Sequence, residues 1–268
     1  MKKTFILLLS IICIVSANAQ ISSLFTKKKK TTETQKTVKP VVVQEPKKIA
    51  TPKKDWTKID FSKRPADHFM FQYGSDFLLS HPDSIKTKGS SRHFNFYAMI
   101  DKPMKNNPKF SIAYGLGLGS SNMFFDREYV KVAGAGSTLA FDSTTTFKKS
   151  KVTTFYVEAP IEIRYYSDPE HPGKSWKAAL GIKPGLLLKS YFKGKNLQDR
   201  NGSSVYGPTY ILKESSTRFI NNTLVAFTAR VGYGNISLHT DIQLTSLLKS
   251  SAGPDLHTMS IGITVSGL

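Results

Sequence analysis

Residues 109 to 121 read KFSIAYGLGLGSS, and their side chains sort by parity. Phe110, Ile112, Tyr114, Leu116 and Leu118 are bulky and apolar, whereas Ser111, Ala113, Gly115, Gly117 and Gly119 are small. A period of two sustained over ten residues belongs to an extended strand, in which successive side chains point to opposite faces. The glycines also spell G-x-G-x-G, but a dinucleotide-binding loop needs G-x-G-x-x-G between a strand and a helix, with an acidic residue about 20 positions on. No helical pattern follows, so the stretch predicts a strand with one bare face.

The same period recurs along the chain. Phe69, Phe71, Tyr73, Phe77 and Leu79 alternate with His68, Gln72, Gly74 and Asp76, and Phe94, Phe96, Ala98 and Ile100 with His93, Asn95, Tyr97 and Met99. Phe155, Val157, Ala159, Ile161, Ile163 and Tyr165 oppose Tyr156, Glu158, Glu162 and Arg164. Trp176, Ala178, Leu180, Ile182, Leu186 and Leu188 oppose Lys177, Gly181, Lys183, Gly185 and Lys189. Three more runs follow: Phe219 to Tyr233 with Asn222, Thr228, Arg230 and Gly232 on its polar face, Ile236 to Leu244 with Ser237, His239, Asp241 and Gln243, and Met259 to Ser266 with Ser260, Gly262 and Thr264. Eight strands result. Their connections, at 80–91, 102–108, 120–151, 168–175, 193–217, 234–235 and 249–255, alternate in length, as an outer-membrane barrel with tight turns at one end and long loops at the other requires.

A soluble barrel also alternates, but it hides its apolar face and shows its charges. Here the polar face is built of Gly, Ser, Ala and Thr with a few charges, which suits a narrow interior, and the bulky face carries the residues that suit lipid. The glycines of KFSIAYGLGLGSS are then expected to leave room inside for Arg164 and Lys183. Aromatic residues gather at strand ends, with Phe69, Phe110, Tyr165, Trp176 and Tyr233 at one level and Phe94, Phe192 and Phe219 at the other, like two interfacial girdles. The expected fold is all-β, an eight-stranded antiparallel up-and-down transmembrane β-barrel over residues 66–268. A soluble periplasmic β-barrel binding protein is the alternative architecture, and recovery from the soluble periplasm would distinguish it.

Residues 1–19 have the form of a signal peptide: Lys2 and Lys3, an apolar core from Thr4 to Val15, and Ala17-Asn18-Ala19 before Gln20. The apolar run is too short to span a bilayer as a helix. The single cysteine, Cys13, lies inside that segment, so a processed chain has no disulfide and no thiol for catalysis or metal binding. Residues 20–65 form a basic Lys/Pro/Thr-rich segment that lacks the apolar residues needed to offset ordering entropy, and it reads as a disordered periplasmic linker. The formal net charge of the chain is +19, and the 39 residues from Gln20 to Lys58 carry 11 lysines against three acids. Export argues against a nucleic-acid partner for this charge. Outer-membrane lipid and lipopolysaccharide are the expected partners of the barrel, and a periplasmic protein or anionic cell-wall polymer that of the linker.

The stretch FYVEAPIEIRYY, followed by WKAALGIKPGLLL and preceded by FSIAYGLGLGSS, resembles the PorT-like outer-membrane β-barrel family over roughly residues 66 to 268. Glu158-Ala159-Pro160 stands at the family's E-x-P-style strand, and a Gly-rich strand follows. The resemblance implies an eight-stranded barrel of the outer membrane with an association with type IX protein secretion.

The inward parity gathers Asp76, Glu158, Glu162, Arg164, Lys183, Lys189, Arg230, His239 and Asp241. Charges in a low-dielectric interior must pair, so these nine are expected to form a structural salt-bridge network filling the lumen. The alternative is a lumen-site hydrolase or acyltransferase, with His239 as base, Asp241 as its orienting carboxylate and Ser237 or Ser260 as nucleophile. Nothing in the spacing selects a nucleophile, and the six histidines show no metal-ligand pattern. The expectation is therefore a non-enzymatic protein without cofactor or metal, serving a structural, binding or assembly role in the outer membrane, with both termini in the periplasm.

Overall fold

The computed structural model describes residues 68–82, 85–89, 91–144 and 146–267; the expected signal peptide and basic linker lie outside the described residues. Alternation becomes twelve strands: β1 (Phe69–Ser80), β2 (Arg92–Pro103), β3 (Phe110–Phe125), β4 (Tyr129–Lys131), β5 (Ala140–Asp142), β6 (Thr146–Glu158), β7 (Ile161–Tyr166), β8 (Trp176–Gln198), β9 (Ile211–Ser215), β10 (Thr223–Tyr233), β11 (Ile236–Gln243) and β12 (His257–Ser266). Pairing runs β1-β2-β3, then from β3 to both β6 and β7, from these to β8, and on through β10, β11 and β12 back to β1. Every one of these pairings is antiparallel. β6 and β7 are one barrel strand interrupted at Ala159-Pro160, so the closed barrel has eight strands and no open edge. Pro160 cannot donate to a ladder, yet its carbonyl accepts from Gly115 N–H at 3.0 Å, and Ala159 N–H donates to Pro184 O at 2.8 Å. The strand therefore holds both neighbours across the break.

One end, here the near end, holds the start of β1, the end of β12 and the short connections 104–109, 167–175 and 234–235. Gly234 has φ 60°, the positive value that the first central residue of a II′ two-residue hairpin demands. The distal end holds the long connections, but much of the expected 120–151 and 193–217 loops is strand. β3 runs on to Phe125, β6 begins at Thr146, β8 reaches Gln198 with β9 beside it, and β4 pairs with β5 as a small hairpin.

A bulge in β8 changes the expected faces. Phe155 lies opposite Lys189 and Tyr156 opposite Leu187, leaving Leu188 as an extra residue. Below it Leu180, Ile182 and Leu186 face outward; above it Lys189, Lys193 and Lys195 do, while Phe192 turns inward. Lys189 is thus on the exposed wall and not in the lumen. Phe192 and Phe219, expected in an outer aromatic girdle, are buried instead.

The lower wall presents a continuous apolar exterior. Leu116 is 61% exposed and Leu186 63%, and Ile163, Leu180, Leu238 and Ile263 are similarly bare. Water would not tolerate a band of this extent on a monomer, whereas hydrocarbon does. Aromatic pairs mark its lower border, with Phe110 against Tyr165 at 5.3 Å and Trp176 against Tyr233 at 5.7 Å.

The interior has two storeys. The distal one is apolar: Ile85, Met123, Phe125, Val130, Val132, Phe147, Val152, Phe192, Phe219, Ile220, Leu248 and Leu256 form one buried cluster contributed by the upper strands and the distal connections. The lower one is polar. The glycines of β3 line it, but they make way for other groups than the expected Arg164 and Lys183. A Cβ at Gly117 would stand 2.0 Å from Phe96 O and 2.5 Å from the Tyr97 ring, and one at Gly119 would stand 2.2 Å from Glu158 Oε1. The bare face accommodates Tyr97 and Glu158.

Candidate functional site

Eight of the nine residues expected in the lumen project inward and are buried: Asp76 from β1, Glu158 from β6, Glu162 and Arg164 from β7, Lys183 from β8, Arg230 from β10, and His239 and Asp241 from β11. Inward parity alone brings them together, since each sits at the same phase as the small residues of its strand. They divide into three groups.

Nearest the near end, Glu162 is 1% exposed and is gripped by two guanidinium groups. Arg164 Nε donates to its Oε2 at 2.9 Å; Arg230 donates to the same oxygen at 2.6 Å through Nη2 and to Oε1 at 3.2 Å through Nε. Beneath this layer Tyr166 is buried, donates to Asp101 at 3.2 Å, and has the Lys177 ammonium 5.5 Å from its ring centroid.

In the second group Lys183 joins two carboxylates, with Nζ 2.7 Å from Asp241 Oδ2 and 3.4 Å from Glu158 Oε2. Tyr97 donates to Glu158 Oε2 at 2.5 Å, and the Lys183 ammonium lies 5.8 Å from the Tyr97 ring centroid. Three strands are tied together by one lysine.

The third group is a hydrogen-bonded chain. Asn95 donates to Gln72 at 3.0 Å, and Gln72 donates to Thr264 Oγ1 at 3.3 Å. Thr264 Oγ1 is 2.9 Å from His239 Nδ1, His239 Nε2 is 2.8 Å from His93 Nε2, and His93 Nδ1 is 2.7 Å from Asp76 Oδ1. Ser121 and Ser260 also donate to Asp76, at 2.5 and 2.7 Å. Ionised Asp76 only accepts, so His93 Nδ1 carries a proton; with both rings neutral, His239 donates to His93 and Thr264 donates to His239. Every donor in the chain then points toward Asp76.

This geometry bears on the enzyme alternative. Both ring nitrogens of His239 are engaged, Nε2 by His93 and Nδ1 by Thr264, so neither is left for Asp241, whose Oδ2 accepts from Lys183. Ser260 is held by Asp76, and Ser237 Oγ has no hydrogen-bond partner among the described residues. The base, its proposed carboxylate and a nucleophile are not assembled. His93, Tyr97, Gln72 and Thr264 complete the network and were missed as site residues, although the parity of β1, β2 and β12 already put them on the inner face.

Between the Lys183 group and the apolar storey lies a cavity of about 70 Å³, walled by Ser120, Ser121, Thr154, Ser260 and Gln243 below Met123, Val152 and Leu247. Gln243 accepts from Thr258 at 2.7 Å, while its Nε2 has no hydrogen-bond partner among the described residues. The space is polar enough and large enough for several waters. In the distal storey, Tyr129 donates to Glu214, and burial together with that carboxylate pushes its phenol well above the usual range. On the near-end turn the ligand atoms of Asp168, Glu170 and His171 come within 4.8 Å of one another, all three exposed; a hydrogen bond from His171 and another from the Glu170 amide hold the Asp168 carboxyl below its ordinary range.

Residues 66–247 match the family model described as outer membrane protein beta-barrel domain. The chain belongs to this family of outer-membrane barrels. No curated protein matches it in sequence. Among solved structures it is similar to Ail, the attachment invasion locus protein of Yersinia pestis, solved with the heparin analogue sucrose octasulfate. That similarity has 10% identity and a TM-score of 0.29, over 74% of this chain and 95% of Ail. As an outer-membrane barrel, the protein exposes its apolar lower wall to lipid and keeps the charges of its lower storey inside, the arrangement such barrels require.

Proposed function

We propose that this barrel is a non-conducting outer-membrane scaffold, a structural, binding or assembly component whose termini face the periplasm. The observation that carries the reading is the filled interior: interlocked ion pairs below, an apolar cluster above, and only a small cavity between them. Aqueous channels belong to much larger barrels. The orientation rests on connection lengths, because the short turns share an end with the start of β1 and the end of β12, and short turns are periplasmic in such proteins. Reconstituted into planar bilayers, the protein is expected to give no discrete conductance steps; a regular single-channel conductance would overturn the scaffold reading.

The PorT-like character of Glu158-Ala159-Pro160 and the Gly-rich strand that follows extends this to an accessory role in protein secretion, with the basic 20–65 segment reaching a periplasmic partner. Affinity purification from detergent-solubilised outer membranes is expected to co-isolate secretion components. Their recovery must fall when residues 27–54 are deleted; equal recovery removes the linker from the interaction.

A further inference from the structure

Above the bulge the outward face of the distal wall becomes a lattice of cations. Lys151 of β6 lies directly opposite Lys193 of β8, Lys193 opposite Lys213 of β9, and Lys149 opposite Lys195. Lys189 and Arg92 flank these rows on the same outward face. The residues sharing that face on β2, β3, β6, β8 and β9 include no carboxylate: Glu214 of β9 points inward to Tyr129. Among the described residues, ion pairs are seen at Lys88, Lys131 and Lys183 and at none of the seven wall cations.

Like charges directly opposite across a ladder repel, so three such pairs side by side destabilise the upper wall unless an external anion neutralises them. Their height identifies the anion. From Tyr165 to Phe155 the wall strand climbs ten residues, and at about 3.3 Å per residue with a tilt near 40° this is about 25 Å, the height of a barrel's apolar band. Phe155 stacks on Tyr191 at 6.4 Å at the top of that band, and the lysine rows begin immediately above. The Lys213 ammonium lies 4.6 Å from the Tyr191 ring centroid, and the Lys151 ammonium lies 5.7 Å from that of Phe124 and donates to Asn122 Oδ1 at 2.7 Å, so aromatic rings and an amide seat these cations at the upper border of the apolar band, the level of the headgroup layer.

We propose that this lysine lattice binds the phosphate groups of the glycolipid that forms the outer leaflet. The proposal rests on the orientation argued above, in which the distal end faces outward. A phosphorylated sugar headgroup presents fixed dianions at this depth, and a sheet of lysines spaced by the strand lattice meets them as point charges.

The test compares wild type with the triple variant Lys151→Gln/Lys193→Gln/Lys213→Gln, refolded into phosphatidylcholine vesicles alone or containing bisphosphorylated lipid A, dephosphorylated lipid A, or phosphatidylglycerol at matched charge. The readout is the midpoint of heat unfolding, followed by gel migration. In phosphatidylcholine the variant is expected to be at least as stable as wild type, since it has lost the repulsion. Bisphosphorylated lipid A is expected to raise the wild-type midpoint by about 3 °C or more, an effect suppressed at high salt and absent in the variant. An equal rise in the variant, an equal rise with dephosphorylated lipid A, or an equal rise with phosphatidylglycerol would each overturn the proposal. The orientation is checked separately by an impermeant maleimide on intact cells carrying Ser203→Cys at the distal end. Absence of labelling there would overturn the orientation whatever the vesicle result.

Discussion

Glu162→Gln is expected to cost the barrel about 3–5 kcal/mol, because it removes a buried carboxylate that both Arg164 and Arg230 bind. The amide keeps the shape and some hydrogen bonds, so the loss reports charge. Arg164 and Arg230 would be left facing each other in a low-dielectric layer closed from below by Tyr166. Urea unfolding of the reconstituted protein, followed by gel migration, should show a midpoint far below wild type. Adding Arg230→Met to Glu162→Gln should recover part of the loss by removing one uncompensated charge. A single variant within about 1 kcal/mol of wild type would mean that water screens the pair, and the layer could not then be what holds the near end together.

Phe192→Ala acts on the other storey. Phe192 is fully buried, 5.1 Å from the Tyr129 ring and 5.7 Å from the Phe147 ring, so its truncation removes a large side chain from a packed cluster and costs about 3–5 kcal/mol. The distal connections supply much of that cluster, and the lower barrel stays sealed by its own ion pairs. The loss should therefore appear as local opening. Tryptic cleavage of the distal segments at Arg127, Arg200 or Arg218 should become about a hundredfold faster or more, while the lower barrel remains intact. Equal cleavage of the two proteins would show that Phe192 does not anchor the cap.

Most of the fold was legible because barrel strands obey parity, and parity survives in sequence. Gly115, Gly117 and Gly119 alternate with Leu116 and Leu118, and nothing but a strand explains that. The same rule found eight of nine lumen charges. It failed at Lys189, since the two-for-one pairing at Leu188 leaves no mark in composition. Phe192 and Phe219 were misplaced for related reasons, the first by the same bulge, the second because distal connections fold back over the mouth, a tertiary event without local signature. Within the site, parity placed His93 and His239 on the inner face, but which imidazole meets which partner depends on how strands far apart in sequence are staggered. His239 had a carboxylate two residues away and bonded instead to a histidine 146 positions earlier.

The bulge at Leu188 gives this wall something like a reading frame. Below it the even residues of β8 are written for lipid; above it the odd ones from Lys189 to Lys195 are written for the headgroup layer, and the even Phe192 and Gly194 for the core. A one-residue change in length within this strand would transpose the two texts, exposing phenylalanine and burying lysine as far as Lys195, whereas the same change in the 199–210 connection would only alter a tether. Length in β8 is thus constrained more tightly than any single identity along it.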